Sequence, residues 1–600
     1  MNTIRSFRVA SLRVVLKGHD FSRAEKAAMK WRALAPEGLP RPLAKLLLKR
    51  SFLALAGIVL AAAPSLAQAQ CAAPQCTRAD AEKDPVLKAM LEELDRSQAQ
   101  LRLEGFEKPY FIEYRVDEVE GFRTRAEFGA SLGSSNFHRR VARVTVHVGN
   151  YKSDSSGRGD SATELETVDN DDIALRSALW VATDEAYKGA LAAYARKQAE
   201  LKQVQTPPQA DDLSHEKPVV ILETPQHLKL DNGAWDQLIA KASGLFFTDA
   251  SLQSSRGDVQ YSTASFGALA TTGYLANSEG AITRTSQTRY DEGFSVGGQA
   301  ADGMNLDRSY YIAGNALSDM DPADALDKHA VECINGLAEL RAAPLVEEEY
   351  HGPLLMDADA ASGMLKDLLA RPFAANRPAL GTEARTTGAF ASSYHARVLP
   401  DFIDVVDDPS LTALNGKGLV GAYTVDQEGV PAQAVPLVAD GKLDNYLIGR
   451  EPVKDFPQSN GHGRAGVFGV AQPAIGVLEI TAKDGLSEAD LNMKLLDLAK
   501  DRGLDHVYFV ESMAGSMDPR LLYKVTPDGK RTLVRGARLE DLDLRALRSG
   551  IVAAGKDLFA NNQLGAVAET VLAPALLFDD VTVKRANEKN DKLPYYPPPE

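Results

Sequence analysis

Apolar positions along this chain fall into two textures that meet near residue 345. Before that point, stretches with helical spacing alternate with long runs of period two. DPVLKAMLEELDRSQAQL (84–101) repeats apolar residues every three or four positions and predicts an amphipathic helix. FIEYRVDEVEGFRTRAEFGAS (111–131) and RRVARVTVHVG (139–149) alternate as strands, with Val144, Val146 and Val148 on one side and His147 on the polar side. The polar, acidic stretch 153–172 reads as a mobile loop. A long helix follows, with Leu175, Leu179, Ala182, Ala186, Ala190 and Tyr194 down one face. QTPPQADD (205–212) ends it and opens a linker. In YLANSEGAITRTSQTRYD (274–291) a SEG turn joins two extended runs, and a helix over 323–341, holding Cys333 as a buried thiol, closes the first half.

After residue 345 the pattern becomes strands joined by tight turns. Asp440-Gly441 and Asp528-Gly529 each sit between apolar runs and suit type I′ hairpin turns. ALLFDDVTV (575–583) supplies a late strand, and the polar, proline-ended segment 584–600 reads as a disordered tail. Six hundred residues exceed what one core organises. The expected division is a 1–69 leader, a 70–84 linker, an α/β domain over 85–342 and a β-rich domain over 343–583, an α+β chain as a whole.

Composition is that of an ordinary folded protein, 44% hydrophobic and 25% charged. Residues 1–69 hold twelve Lys/Arg against three Asp/Glu, a balance of +9 within a chain of formal charge −15, so the remainder carries −24. That acidity excludes nucleic-acid binding. RPLAKLLLKR, FLALAGIVLAAA and Ala67-Gln68-Ala69 form the basic, apolar and small-residue parts of a secretory signal. Cleavage after Ala69 and a periplasmic or secreted product are expected, with an uncleaved anchor as the alternative and no stable membrane insertion after cleavage. Cys71 and Cys76 could pair in that compartment.

The order of motifs in the second half is distinctive: VVDDPSL (405–411), GAYTVDQEGVPAQAVPLVADGKLDNYLI (421–448), SNGHGR (459–464) and LVRGARL (533–539), then the late strand. This order resembles the TldD/PmbA family of metallopeptidase-related proteins. The resemblance implies an α/β N-terminal domain and a barrel-like C-terminal β domain. In the family's catalytic branch an HExxxH helix follows the strand that GPLLMD (352–357) resembles, and a later cysteine completes a zinc site. Carried across, the first histidine falls at Lys366, the glutamate at Asp367, the second histidine at Arg371, and the cysteine within NNQLGA (561–566). Lysine and arginine offer zinc no lone pair at neutral pH. The resemblance therefore implies a family member without the zinc site and with no cofactor. Two readings of the trio stay open, a charged, solvated helix side and a pair of cations gripping a peptide carboxylate.

Other candidates carry less. His462 could act as an acid, base or ligand and Arg464 as an anion clamp, or both could serve a glycine-rich turn. His395 precedes an extended run and reads as structural. His351 beside Glu347, Glu348 and Glu349 reads as a solvated acidic turn. Neither a G-x-S-x-G elbow nor a P-loop occurs. The leading expectation is a non-catalytic subunit or peptide-binding module that takes a peptide or unfolded segment and pairs with an HExxxH-bearing paralogue or with itself. An active peptidase rebuilt on His462 and Asp367, and a structural envelope protein, are the alternatives.

Overall fold

The computed structural model describes residues 76–586 apart from 158, 348 and 516, and omits the side chains of 253–256. The leader with its cleavage point, Cys71, Glu348 and most of the expected tail lie outside the described residues. Among those described, no helix is long and apolar enough to cross a membrane. Cys76 is disulfide-bonded and Cys333 is a buried thiol.

Two large sheets organise the chain, one built from strands before residue 315 and one from strands after 349. In the first, Ala130–Asn150, Pro109–Glu127, Tyr261–Asn277 and Ile282–Gln299 lie side by side in antiparallel order. Asn305–Gly314 and the parallel Val220–Leu222 flank the last of these, and Ser161–Glu166 flanks the first. A strand of 19 residues spans roughly 60 Å, more than one helix pair can cover. The back of the sheet accordingly carries two cores. Ile112, Tyr114, Val116, Val144, Val146 and Tyr274 pack under helices Pro85–Gln100 and Asp172–Leu201. Phe122, Ala126, Phe266 and Phe294 pack under Asn232–Thr248 and Ala323–Ala342. The residues between, Glu113, Arg115, Asp117, Arg289 and Asp291, point to the front, toward the second domain.

Three sequence expectations change here. The segment 153–172 is not simply a loop, because Ser161–Glu166 pairs with Arg140–Thr145 and Ala162 is buried. An edge strand needs the ladder and one apolar contact, not an apolar run. His147 does face away from Val146 and Val148 but is buried, since 153–160 folds over it. Its Nδ1 lies 3.5 Å from Asp154 and 3.6 Å from Asp160. The 205–212 linker is also pinned: Asp212 is buried, accepts the Asp154 N–H at 2.7 Å and Lys197 Nζ at 2.5 Å, and pairs with Arg377 of the second domain.

The second sheet orders its strands Lys442–Leu443, Val435–Ala439, Ile403–Asp407, Val477–Ala482, Ala568–Arg585, Tyr350–Met356, Val507–Met513, Pro519–Val525 and Arg531–Val534. Ala537–Glu540 and Ile551–Leu564 also pair with Ala568–Arg585. The sheet is open rather than a closed barrel. Ala568–Arg585 continues two residues into the expected tail. Asp440 and Gly441 both take positive φ, +49° and +72°, as a type I′ turn requires. The 526–530 turn differs: only Gly529 is left-handed, and Thr526 and Lys530 close a wider loop.

Arg450 locks the two domains together. Its side chain is buried, pairs with Glu279 of the NSEG turn at 2.7 Å, donates to the Ser214 carbonyl at 2.5 Å and lies 4.9 Å from the Phe111 ring centre. Removing one partner of a buried pair strands the other charge, at a cost of about 3–5 kcal/mol. Arg450→Ala should lower the thermal midpoint by several degrees, and adding Glu279→Ala should recover part of the loss, as measured by calorimetry. An additive double variant would show that the pair is not coupled.

Candidate functional site

Helix Ala358–Phe373 begins on Asp357, which accepts the Ala358 N–H at 2.9 Å. Met364, Leu365, Leu369 and Phe373 bury one face in the core of the second domain. This leaves Ser362 and Lys366, one turn apart, beside the hairpin of Ile551–Leu564 and Ala568–Arg585. Lys366 is not a solvated side chain. Its Nζ pairs with Glu569 at 2.8 Å and donates to Gln563, and both charged side chains are about four-fifths covered. Asn561 donates to Ser362 Oγ at 3.0 Å and accepts from Gln563 Nε2 at 3.3 Å.

The structure thus brings the position inferred for a first zinc ligand against NNQLGA, the segment inferred for the third. It does not bring Arg371 there. In a regular helix residues five apart diverge by about 140°, and Arg371 is exposed on the last turn, as is Asp367 on the turn before. The groups that do meet are an ammonium, two carboxamides, a hydroxyl and one carboxylate. Among them only Glu569 is a competent zinc ligand, and it is already paired with a cation. Among the described residues no set of three His, Cys, Asp or Glu is arranged to hold a metal ion. The residues present do not fit zinc.

His462 and Arg464 are placed elsewhere and are fully engaged. His462 is buried with Nε2 3.1 Å from Asp407 and Nδ1 3.0 Å from the Asn460 carbonyl. Arg464 donates to Gln427 Oε1 and to the Ile475 and Ala568 carbonyls, at 3.2, 3.2 and 3.3 Å, and lies over the Tyr423 ring at 4.0 Å. His351 bonds to Thr582 and Glu349 at 3.0 Å each and stays exposed. His395 holds a left-handed φ of +62° near Asp444.

Sequence reasoning quoted D-Q-E-G (426–429) only as a signature, and the structure gives it a task. Asp426 accepts N–H groups from Glu428, Val430 and Gly463 at 3.0, 2.9 and 2.8 Å. Glu428 accepts the Arg450 N–H at 2.7 Å. A Cβ on Gly463 would stand 1.9 Å from the Glu428 carboxylate and one on Gly449 2.6 Å from it, so both glycines make room for it. Glu113 of the first sheet faces the same pocket. Burial raises Asp426 to about 6 and Glu113 to about 7, and burial with the Asp426 and Glu113 charges raises Glu428 well above the usual range. The signal available in sequence was the pairing of two acids with a downstream buried arginine in LIGR (447–450).

The architecture is a long-stranded α+β domain locked onto an open sheet, with helix Ala358–Phe373 meeting the hairpin of Ile551–Leu564 and Ala568–Arg585. Residues 349–585 match the family model described as the PmbA/TldA metallopeptidase C-terminal domain. Three solved structures share the fold. A proposed modulator of a DNA gyrase from Thermotoga maritima is similar at TM-score 0.55 and 15% identity, covering 82% of this chain and 100% of its own. TldE from Thermococcus kodakarensis is similar at 0.54 and 13%, covering 82% and 99%. A proposed modulator of DNA gyrase from Bacteroides thetaiotaomicron is similar at 0.52 and 12%, covering 84% and 99%. No curated protein matches the chain. Residues 349–585 thus form a C-terminal domain of the PmbA/TldD metallopeptidase-related type, and the chain as a whole is similar in fold to these three structures.

Carboxyl groups whose folded pKa is raised favour the protonated state. The stability they contribute is full below the unfolded value, about 4, and is lost as pH rises through about 6 to 7. The thermal midpoint should therefore fall between pH 5 and pH 8, and Glu428→Gln should flatten that slope. A midpoint independent of pH over this range in the wild type would refute the assignment.

Proposed function

We propose that this protein is an exported, non-catalytic member of its family that binds a peptide or unfolded protein segment, as a subunit beside an HExxxH-bearing paralogue or as a homodimer. One observation carries the reading. The Lys366 ammonium, at the position to which the resemblance assigns the first metal ligand, is tied to Glu569 and Gln563. A fixed cation there repels a dication and supplies no base for activating water. What remains of a peptidase is the surface where helix Ala358–Phe373 meets the hairpin of Ile551–Leu564 and Ala568–Arg585. Export rests on the leader sequence.

The rebuilt-peptidase alternative has less support. His462 is buried in two sets of hydrogen bonds and Asp367 lies on the exposed side of its helix.

Elemental analysis of the purified protein should find no stoichiometric transition metal, and a fluorogenic casein should stay uncleaved with or without a chelator. One tightly held transition metal per chain, or chelator-sensitive cleavage, would overturn the proposal. The triple change Lys366→His, Asp367→Glu, Arg371→His should not create a zinc site, because no thiolate stands in NNQLGA and the 366 and 371 side chains diverge. Zinc binding by that variant at micromolar affinity would show that the helix can re-form the family geometry.

A further inference from the structure

The front face of the first sheet carries charged side chains that the second domain partly covers. Most are accounted for. Arg115 donates to Asp117 at 3.0 Å and to the Gly466 and Gly469 carbonyls at 3.0 and 2.9 Å. Arg143 donates to Ser161 Oγ at 3.1 Å and to the Phe468 carbonyl at 2.7 Å. Arg464 reaches this face from the opposite domain and is saturated, as described above.

Arg289 is different: its Nε is shielded and unpartnered, as those of Arg143 and Arg450 are, but its terminal nitrogens, unlike theirs, have no hydrogen-bond or ion-pair partner among the described residues either. Among the described residues no carboxylate pairs with its guanidinium. Asp291, two positions along the same strand, packs over Gly267 and has Arg123 as its opposing charge. Burial pushes Arg289 down to about 10, and the nearby charge acting on it is a second cation, Arg464. Arg289 is half-buried, with its Nε shielded and its terminal nitrogens still open to solvent, and a guanidinium partly withdrawn from water without a counter-charge is costly to a fold. Such a group is retained where a ligand brings the anion.

A second orphan stands beside it. Asn315 follows Gly314, the register partner of Tyr290, so the 289 and 315 positions are neighbours across the sheet edge. Its Nδ2 donates to the Leu419 carbonyl at 2.8 Å, which fixes the amide, and its buried Oδ1 has no partner. One stranded cationic donor and one stranded acceptor complement a carboxylate with an N–H group one residue's reach away.

We propose that Arg289 and Asn315 recognise the free C-terminal end of a bound peptide, the guanidinium taking the terminal carboxylate and Asn315 Oδ1 accepting the last amide N–H. The proposal rests on the peptide-binding reading and names the end of the peptide that this protein would hold. The ligand is a monoanion rather than a phosphate or nucleotide, because Arg289 is a single guanidinium and the neighbouring Arg115 and Arg464 are already committed to protein acceptors.

The test uses the whole protein and a fluorescein-labelled octapeptide of alternating alanine and leucine, made as the free acid and as the C-terminal amide. On the wild type the acid should bind about tenfold more tightly than the amide, the size expected of a charge-assisted contact. Arg289→Gln should bring the acid to the level of the amide without changing amide affinity, and Arg289→Lys should retain part of the difference. Because the variant removes an unpaired charge, its thermal midpoint should hold or rise. Equal affinity for acid and amide on the wild type, a ratio unmoved by Arg289→Gln, or a lowered midpoint would overturn the proposal. An amide-capped peptide with one internal glutamate that binds as well as the free acid would overturn the C-terminal assignment. Binding of neither octapeptide would remove the peptide reading itself. The anion site is then decided by phenylglyoxal labelling of Arg289, mapped by mass spectrometry. Protection by N-acetylleucine but not by N-acetylleucinamide supports the site, and equal labelling overturns it.

Discussion

Burying Arg450 is the constraint on which the arrangement of the two domains depends. A guanidinium out of contact with water needs partners, and the chain brings them to its two terminal nitrogens and its face from three distant places: Glu279 in a turn of the first sheet, Ser214 in the segment after the long helix, and the Phe111 ring beneath. Its own backbone N–H holds Glu428, whose neighbour Asp426 closes the 426–430 turn and binds Gly463. One side chain therefore fixes the relation of the NSEG turn, the 205–216 segment and the D-Q-E-G turn. The front face of the first sheet is held against the second domain as a consequence.

The same logic separates groups that hold the fold from groups left to act. Arg115, Arg143, Arg377, Arg450 and Arg464 all donate to carbonyls of distant loops. Such contacts suit arginine, whose planar fork meets several acceptors at once. His462 with Asp407 belongs with them, since Asp407 also receives the Gly476 N–H at 3.1 Å. Lys366 is intermediate: it is paired with Glu569 but only about four-fifths covered, beside a hairpin. Arg289 stands outside the pattern, a guanidinium on a packed face with nothing to donate to.

Short-range physics made much of the fold legible. The helix expected over 84–101 is found at Pro85–Gln100, and that expected over 323–341 at Ala323–Ala342, because each has a continuous apolar stripe and a clear start. The strands around 111–149 form one long hairpin, Pro109–Glu127 with Ala130–Asn150, since period two persisted through both. Asp440-Gly441 declared its turn because both positions could take positive φ. What stayed hidden depended on partners far along the chain. Ser161–Glu166 looked like a loop because its order comes from Ala130–Asn150, and His147 looked solvated because the residues covering it are polar.

The candidate site shows the same division. Placing Lys366 opposite NNQLGA required only a motif order and a helix phase, and the two do meet. That Lys366 is tied to Glu569 could not be read, because the strand register that brings Glu569 under the helix is set by the pairing of Ile551–Leu564 with Ala568–Arg585. Nor could Arg289 be singled out, since an arginine on an alternating strand has the same sequence signature whether it faces solvent, a carboxylate or nothing. The distinction lies in what the opposite domain brings to it. Arg464, Ala568 and Leu419 arrive at that face already committed to one another or to neighbouring groups, and none has an anion to offer.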